Sequence, residues 1–184
     1  MTAAVQRAWT GARIPRGAAW LGAIAPDLPL YLLSGSAWVY YRVVRGWTSQ
    51  RAFEHMFGDL YFHDPIWVGL HNLLHAPFVL VAGMVGARLL LARHPAAARW
   101  LSWFLAACAL HSAVDFVTHY DDGPLPFFPF DWRHRFQGPV SYWDVKHYAG
   151  QFAHFEWGLD LALLAYLVMG WIRRRGETAA PGGS

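Results

Sequence analysis

Apolar residues along this chain gather in four long runs, at about residues 18–44, 66–92, 98–117 and 157–172. The first three have the length and continuity of buried or membrane-crossing helices rather than half-buried strands, and the fourth sits near the lower limit for a spanning helix. Proline punctuates the pattern. Pro26 and Pro29 predict a break or kink inside the first run, and Pro77 predicts a kink in the second. The fourth run stops at Arg173, Arg174 and Arg175. Between the third and fourth runs lies Gly123-Pro124-Leu125-Pro126-Phe127-Phe128-Pro129-Phe130, too rich in proline for a regular helix. Two readings of that stretch stay open: a rigid aromatic wall beside a site, or a loop that packs its rings at the headgroup level. Residues 1–175 read as one membrane-embedded helical domain, and 176–184 as a small, polar, disordered tail.

Composition turns these runs into a fold class. Of 184 residues, 55% are hydrophobic and 15% charged, and 11 are tryptophan. That is apolar-rich and charge-poor for a soluble domain, and tryptophan favours bilayer interfaces. The expectation is an all-α integral membrane bundle of about four transmembrane helices with a long aromatic, proline-rich outer loop. The mean hydropathy of +0.20 is modest because polar connections dilute it. Net charge is only +3, with no basic face or motif, so nucleic acid is excluded as a partner. The single cysteine, Cys108, cannot form an internal disulfide. Arginine placement predicts a bacterial inner (cytoplasmic) membrane with both termini cytoplasmic, on the strength of Arg7, Arg13, Arg16, Arg93, Arg99 and Arg173–Arg175. The loops at about 45–65 and 120–156 then face outward. Arg42, Arg45 and Arg51 run against that orientation.

The chemistry-bearing residues lie at the ends of the apolar runs. His111, Asp115 and His119 are spaced four apart, on one face of a helix, with Asp121 and Asp122 just beyond. Ionisable groups in a membrane helix are costly and usually functional, and two imidazoles with a carboxylate suit a divalent cation such as zinc. A polar stripe packed against other helices is the competing explanation. His71 and His75 form a second pair four apart, of the kind that builds metal sites between facing helices. Asn72 follows His71 where a zincin-type protease has glutamate, which rejects that class. In the four-span topology both pairs fall at the outer face, joined by Asp144, His147, His154 and Glu156 from the outer loop. His63 and Asp64 are candidates to support a ligand, although Asp64 before Pro65 also suits a helix cap. Asp160 predicts pairing with an arginine or histidine of a neighbouring helix. His55, His94 and His134 have no motif around them and read as surface residues. P-loop, dinucleotide and nucleophile-elbow motifs are absent from the sequence.

Three motifs resemble those of the bacterial membrane-bound metal-dependent hydrolases, small inner-membrane proteins. They are Gly22-Ala23-Ile24-Ala25-Pro26-Asp27, His71-Asn72-Leu73-Leu74-His75, and His111-Ser112-Ala113-Val114-Asp115 with Thr118, Gly123 and Pro129-Phe130. The likeness spans roughly residues 20–130. The chain departs from the family pattern where Pro29 and Leu30 follow Leu28 in place of a second acid, and where Asn72 and Leu73 replace more polar residues. The resemblance implies Asp27, His71, His75, His111 and Asp115 as metal ligands, for zinc or another divalent ion, single or paired.

Two function classes follow. The first is a metal-dependent hydrolase at the outer membrane face. There the metal activates water, His119, Asp121 or Asp122 acts as general base or orients a ligand histidine, and Arg133 and Arg135 bind phosphate. Its substrate would be lipid-linked or a phosphate ester, its surroundings membrane lipids, and a homo-oligomer is compatible with it. The second is a non-enzymatic membrane protein: a metal or haem carrier, a transporter subunit or an assembly factor.

Overall fold

The computed structural model describes residues 14–179, and among these there is no strand. Helix α1 covers Arg16–Ile24 and α2 Leu28–Val39, running on through a wider π-type turn at Tyr40–Val44. Helix α3 covers Ser49–His55, followed by a second π-type turn at Met56–Leu60 and a helical turn at Tyr61–His63. Helices α4, α5 and α6 cover Pro65–Asn72, Pro77–Leu90 and Pro95–Thr118, and α7 covers Ala149–Ala179. Three of these helices begin on proline, whose missing N–H costs nothing in a first turn. Asp64 caps α4 by accepting from the N–H groups of Ile66 (2.9 Å) and Trp67 (3.2 Å).

Two helices are long and apolar enough to cross a membrane, Pro95–Thr118 and Ala149–Ile172. Helices α4 and α5 together make a third if they count as one span bent by 54°. The expected four-span bundle is therefore revised to two or three candidate spans. The first apolar run does not qualify, because Pro26 splits it into α1 and α2, each too short alone. The fourth run is longer than its apolar residues suggested, since the helix already starts at Ala149, after Tyr148 in a left-handed conformation (φ 66°). Helix α7 also continues to Ala179, past the expected start of the tail at 176. Residues 180–184, Arg7 and Arg13 lie outside the described residues.

Helix α1 runs along α6 at very short range. A Cβ on Gly22 would lie 2.3 Å from the Phe104 carbonyl oxygen and 2.7 Å from Ala107 Cβ, so only glycine permits the approach. Helix α5 lines the other flank of α6 through Leu80, Leu105 and Cys108. The proline-rich loop is partly internal: Leu125 and Phe128 are buried with Val68 and Ala76, while Phe127 and Phe130 remain exposed. Asn72, fully buried, fastens that loop by accepting from the Leu125 N–H at 2.6 Å and donating to the Val68 carbonyl at 2.8 Å. The loop's returning segment closes the end of α6. The N–H groups of Gly138, Val140 and Tyr142 donate to the carbonyls of His119, Val117 and Thr118.

Candidate metal centre

Two helix breaks and one continuous helix build the site. At the first break Asp27 precedes α2, and its side chain makes no cap bond there, which leaves the carboxylate free. At the second break His75 lies between α4 and α5. From α6 come His111 and Asp115, one turn apart. One ligand atom from each of these four residues can be chosen so that all lie within 4.8 Å of one another, and the group could hold a metal ion.

The distances have the form of a coordination shell. His75 Nε2 is 3.6 Å from Asp27 Oδ1 and 3.1 Å from Asp115 Oδ2. His111 Nε2 is 3.5 Å and 3.2 Å from the same two oxygens. A tetrahedron with metal–ligand bonds of about 2.0–2.1 Å has edges of about 3.3 Å. Although the oxygens are near, both Nε2 atoms are buried without hydrogen-bond geometry to any described group. The two imidazoles and two carboxylates thus stand close enough to pair with one another or to share a cation.

The breaks also set the tautomers. At the end of α1 the Asp27 N–H turns to Ile24 O (3.3 Å), not to Ala23 O one turn back. The released Ala23 carbonyl accepts from His111 Nδ1 at 3.0 Å. At the end of α4 the His75 N–H turns to Asn72 O (3.2 Å), and the released His71 carbonyl accepts from His75 Nδ1 at 2.5 Å. A carbonyl only accepts, so each Nδ1 carries a proton, and in the neutral ring each Nε2 then presents a lone pair. Backbone carbonyls behind imidazoles are a recurrent way of orienting metal ligands. The Ser112 hydroxyl, buried on α6, donates to the His75 carbonyl and ties the second break to the helix. His75 is completely buried, whereas 35% of the Asp27 side chain is exposed, so the group opens to its surroundings at Asp27.

His71 does not join this group. Its Nε2 lies 3.0 Å from the Tyr61 hydroxyl, which itself donates to the Asp122 carbonyl at 2.6 Å. Burial pushes the Tyr61 phenol well above its usual range, so it keeps that proton. Its oxygen can then only accept from His71, which makes His71 an Nε2–H tautomer whose buried Nδ1 has no partner among the described residues. The ring stands against His75 with centroids 4.4 Å apart. The structure does not bring His71, expected as a ligand, into the group, because the spacing of four assumes one helix through His75, and α4 ends at Asn72. Pro77 supplies no N–H to continue it, and it holds Ala76 extended (ψ 123°).

The groups expected to act as acid or base stand apart from the four. His119 ends the α6 stripe one turn beyond Asp115 and pairs through Nδ1 with Asp122 Oδ1 at 2.9 Å. Asp121 instead lines an open cleft of about 680 Å³ with Phe62, His63, Val68, Trp132 and Arg133. Arg135 borders the same cleft but is committed inward, donating to the Gly123 carbonyl at 2.6 Å and standing 4.8 Å over the Tyr61 ring. His147 bonds Asp144 (2.8 Å) and stacks on Tyr120, and Glu156 meets the Tyr142 hydroxyl at 3.4 Å; neither joins the metal group. His63 pairs with Asp59 and supports no ligand. What the sequence hid was the role of the Ala23 and His71 carbonyls and of Ser112, since backbone acceptors carry no residue signature.

No family model matches the chain, and no curated protein or solved structure matches it either.

Proposed function

We propose that this protein is a membrane-embedded, metal-dependent hydrolase, with zinc as the metal, held by Asp27, His75, His111 and Asp115. The observation that carries the reading is the pair of oriented imidazole Nε2 atoms, 3.1–3.6 Å from two shared carboxylate oxygens. Two nitrogens and two hard oxygens are a donor set for a borderline cation. Such an ion lowers the pKa of bound water towards neutrality and polarises an ester. Asp27, the exposed member, is the ligand best able to yield a coordination position to water or substrate. The His119–Asp122 pair follows Asp115 by one helical turn and is the acid–base candidate of this reading. The candidate spans support a substrate that reaches the site from the bilayer, a lipid-linked molecule or phosphate ester. The resemblance of the Pro-Asp, paired-histidine and His-x3-Asp motifs to the bacterial inner-membrane hydrolases supports the same reading.

A second reading, a non-enzymatic metal carrier or structural site, is favoured by one observation: four protein donors are what a closed site uses. Haem is the poorer fit, because Asp27 and Asp115 stand between the imidazoles where a porphyrin plane would pass. The test is elemental analysis of the purified protein followed by assay with lipid and phosphate esters. One equivalent of zinc with zinc-dependent turnover supports the hydrolase. Zinc without turnover supports the carrier, and no metal after reconstitution overturns both.

A further inference from the structure

A second cluster lies at the far end of α2 from Asp27, where three exposed arginines gather around Trp47. Gly46, at φ 63°, turns the chain so that the Trp47 N–H reaches back to the Tyr41 carbonyl at 2.9 Å. Trp47 stacks on Tyr41 with centroids 4.5 Å apart. The Arg51 guanidinium stands 4.2 Å over the same ring, which Tyr41 leaves open only on its other face. Arg45 lies 5.9 Å from the ring centroid, and Arg42 donates to the Trp47 carbonyl. From behind, Asp59 Oδ2 lies 3.1 Å from His55 Nδ1, and His55 Nε2 shares a hydrogen bond with the Tyr41 hydroxyl at 3.0 Å. His55, expected to be an isolated surface residue, is thus part of the support for this platform.

Among the described residues, Arg42, Arg45 and Arg51 have no carboxylate ion-pair partner. Each carboxylate nearby is engaged elsewhere: Asp59 by His55 and His63, Glu54 by Gln50, and Asp64 by the α4 N-terminus. Tyr41 also lines an open, mainly apolar groove of about 400 Å³, with Leu33, Ala37, Tyr40, Leu60 and Trp67. Guanidiniums favour phosphate through paired hydrogen bonds, and an adjoining apolar groove suits a hydrocarbon chain. We propose that Arg42, Arg45 and Arg51 around Trp47 bind the phosphate headgroup of an anionic membrane lipid, with one acyl chain in the Leu33–Trp67 groove. The site shares no residue with the metal group, so it stands or falls independently of the hydrolase reading.

The test is native mass spectrometry of the full chain in detergent, titrated with short-chain phosphatidylglycerol, phosphatidylcholine or inorganic phosphate. Wild type is expected to retain phosphatidylglycerol and not phosphatidylcholine. At roughly fivefold per arginine, the triple Arg42→Gln, Arg45→Gln, Arg51→Gln variant should lose about 100-fold in affinity. Ala37→Trp, which fills the groove and keeps the arginines, should weaken lipid binding at least tenfold and leave inorganic phosphate unaffected. Equal binding of the two lipids overturns the proposal. So does an equal loss in the Arg88→Gln, Arg99→Gln control, which would show diffuse attraction. Phosphate binding as tight as lipid, with Ala37→Trp silent, would assign a free-phosphate site and overturn the lipid. Should the triple variant fail to fold, Ala37→Trp alone decides between a groove-bound lipid and none.

Discussion

Helices α6 and α7 are near twins by composition. Each offers a 24-residue apolar stretch with the same mean hydropathy, and each carries ionisable residues within it. Their surroundings differ. In α6, 22% of the most apolar window is buried, against none of it in α7. His111 and Asp115 on α6 are answered by His75 and Asp27 from other elements. Asp160 on α7 is exposed and has no hydrogen-bond or ion-pair partner among the described residues, contrary to the expected pairing. Helix α7 meets the loop at its first turns, where Phe152 and Glu156 reach Tyr142. The lesson is that hydropathy reports a helix's capacity to enter a bilayer. Whether a polar group within that helix becomes part of a site depends on what packs beside it.

The contrast can be broken most severely at Gly22. Gly22→Val should force α1 off α6, costing about 3 kcal/mol or more and the metal with it. Thermal unfolding in detergent, read beside zinc content, checks this. Gly158→Ala on α7, with nothing within 4 Å, should leave the melting temperature equal or slightly higher.

Next come the ligands. His75→Ala and His111→Ala should each lower zinc affinity by more than the roughly 10–100-fold typical of groups behind the ligands. Asp160→Asn should not change it. Competition with a chromophoric chelator measures both, and an equal loss in Asp160→Asn would show that α7 reaches the site.

A smaller effect separates His71 from its neighbours. His71→Ala should keep one equivalent of zinc while losing about 1–3 kcal/mol of stability through the Tyr61 bond and the cavity left behind. Loss of zinc on the scale of His75→Ala would instead restore His71 to the ligand set. Tyr61→Phe is the mildest change, expected to cost about 1–2 kcal/mol with zinc unaltered, because it frees His71 Nε2 and the Asp122 carbonyl without touching the four donors.

Much of this was legible in the residues. The apolar runs marked the helices, and Pro26 and Pro77 marked both breaks. The His111–Asp115 pair could be placed on one face because α6 is a single uninterrupted helix, in which a spacing of four has a fixed meaning. The His71–His75 pair could not. Its spacing is the same, but a helix end falls between the two residues, and periodicity says nothing across a break. The four-span expectation was met only in part, by two or three candidate spans, because the run at 18–44 is apolar in composition but divided by its prolines.

The sequence by itself determined which donors exist, where the chain must bend, and which segments are apolar enough for a membrane, because these depend on residue type and on neighbours a few positions away. Tertiary structure alone decided that Asp27, His75, His111 and Asp115 share one centre while His71, Asp121 and Asp160 stand outside it. Asp27, His75 and the His111–Asp115 pair are separated by long stretches of chain, and their meeting depends on how closely α1 can approach α6 and on the direction the chain takes after each helix break. It also depends on which backbone carbonyls those breaks set free to orient the imidazoles.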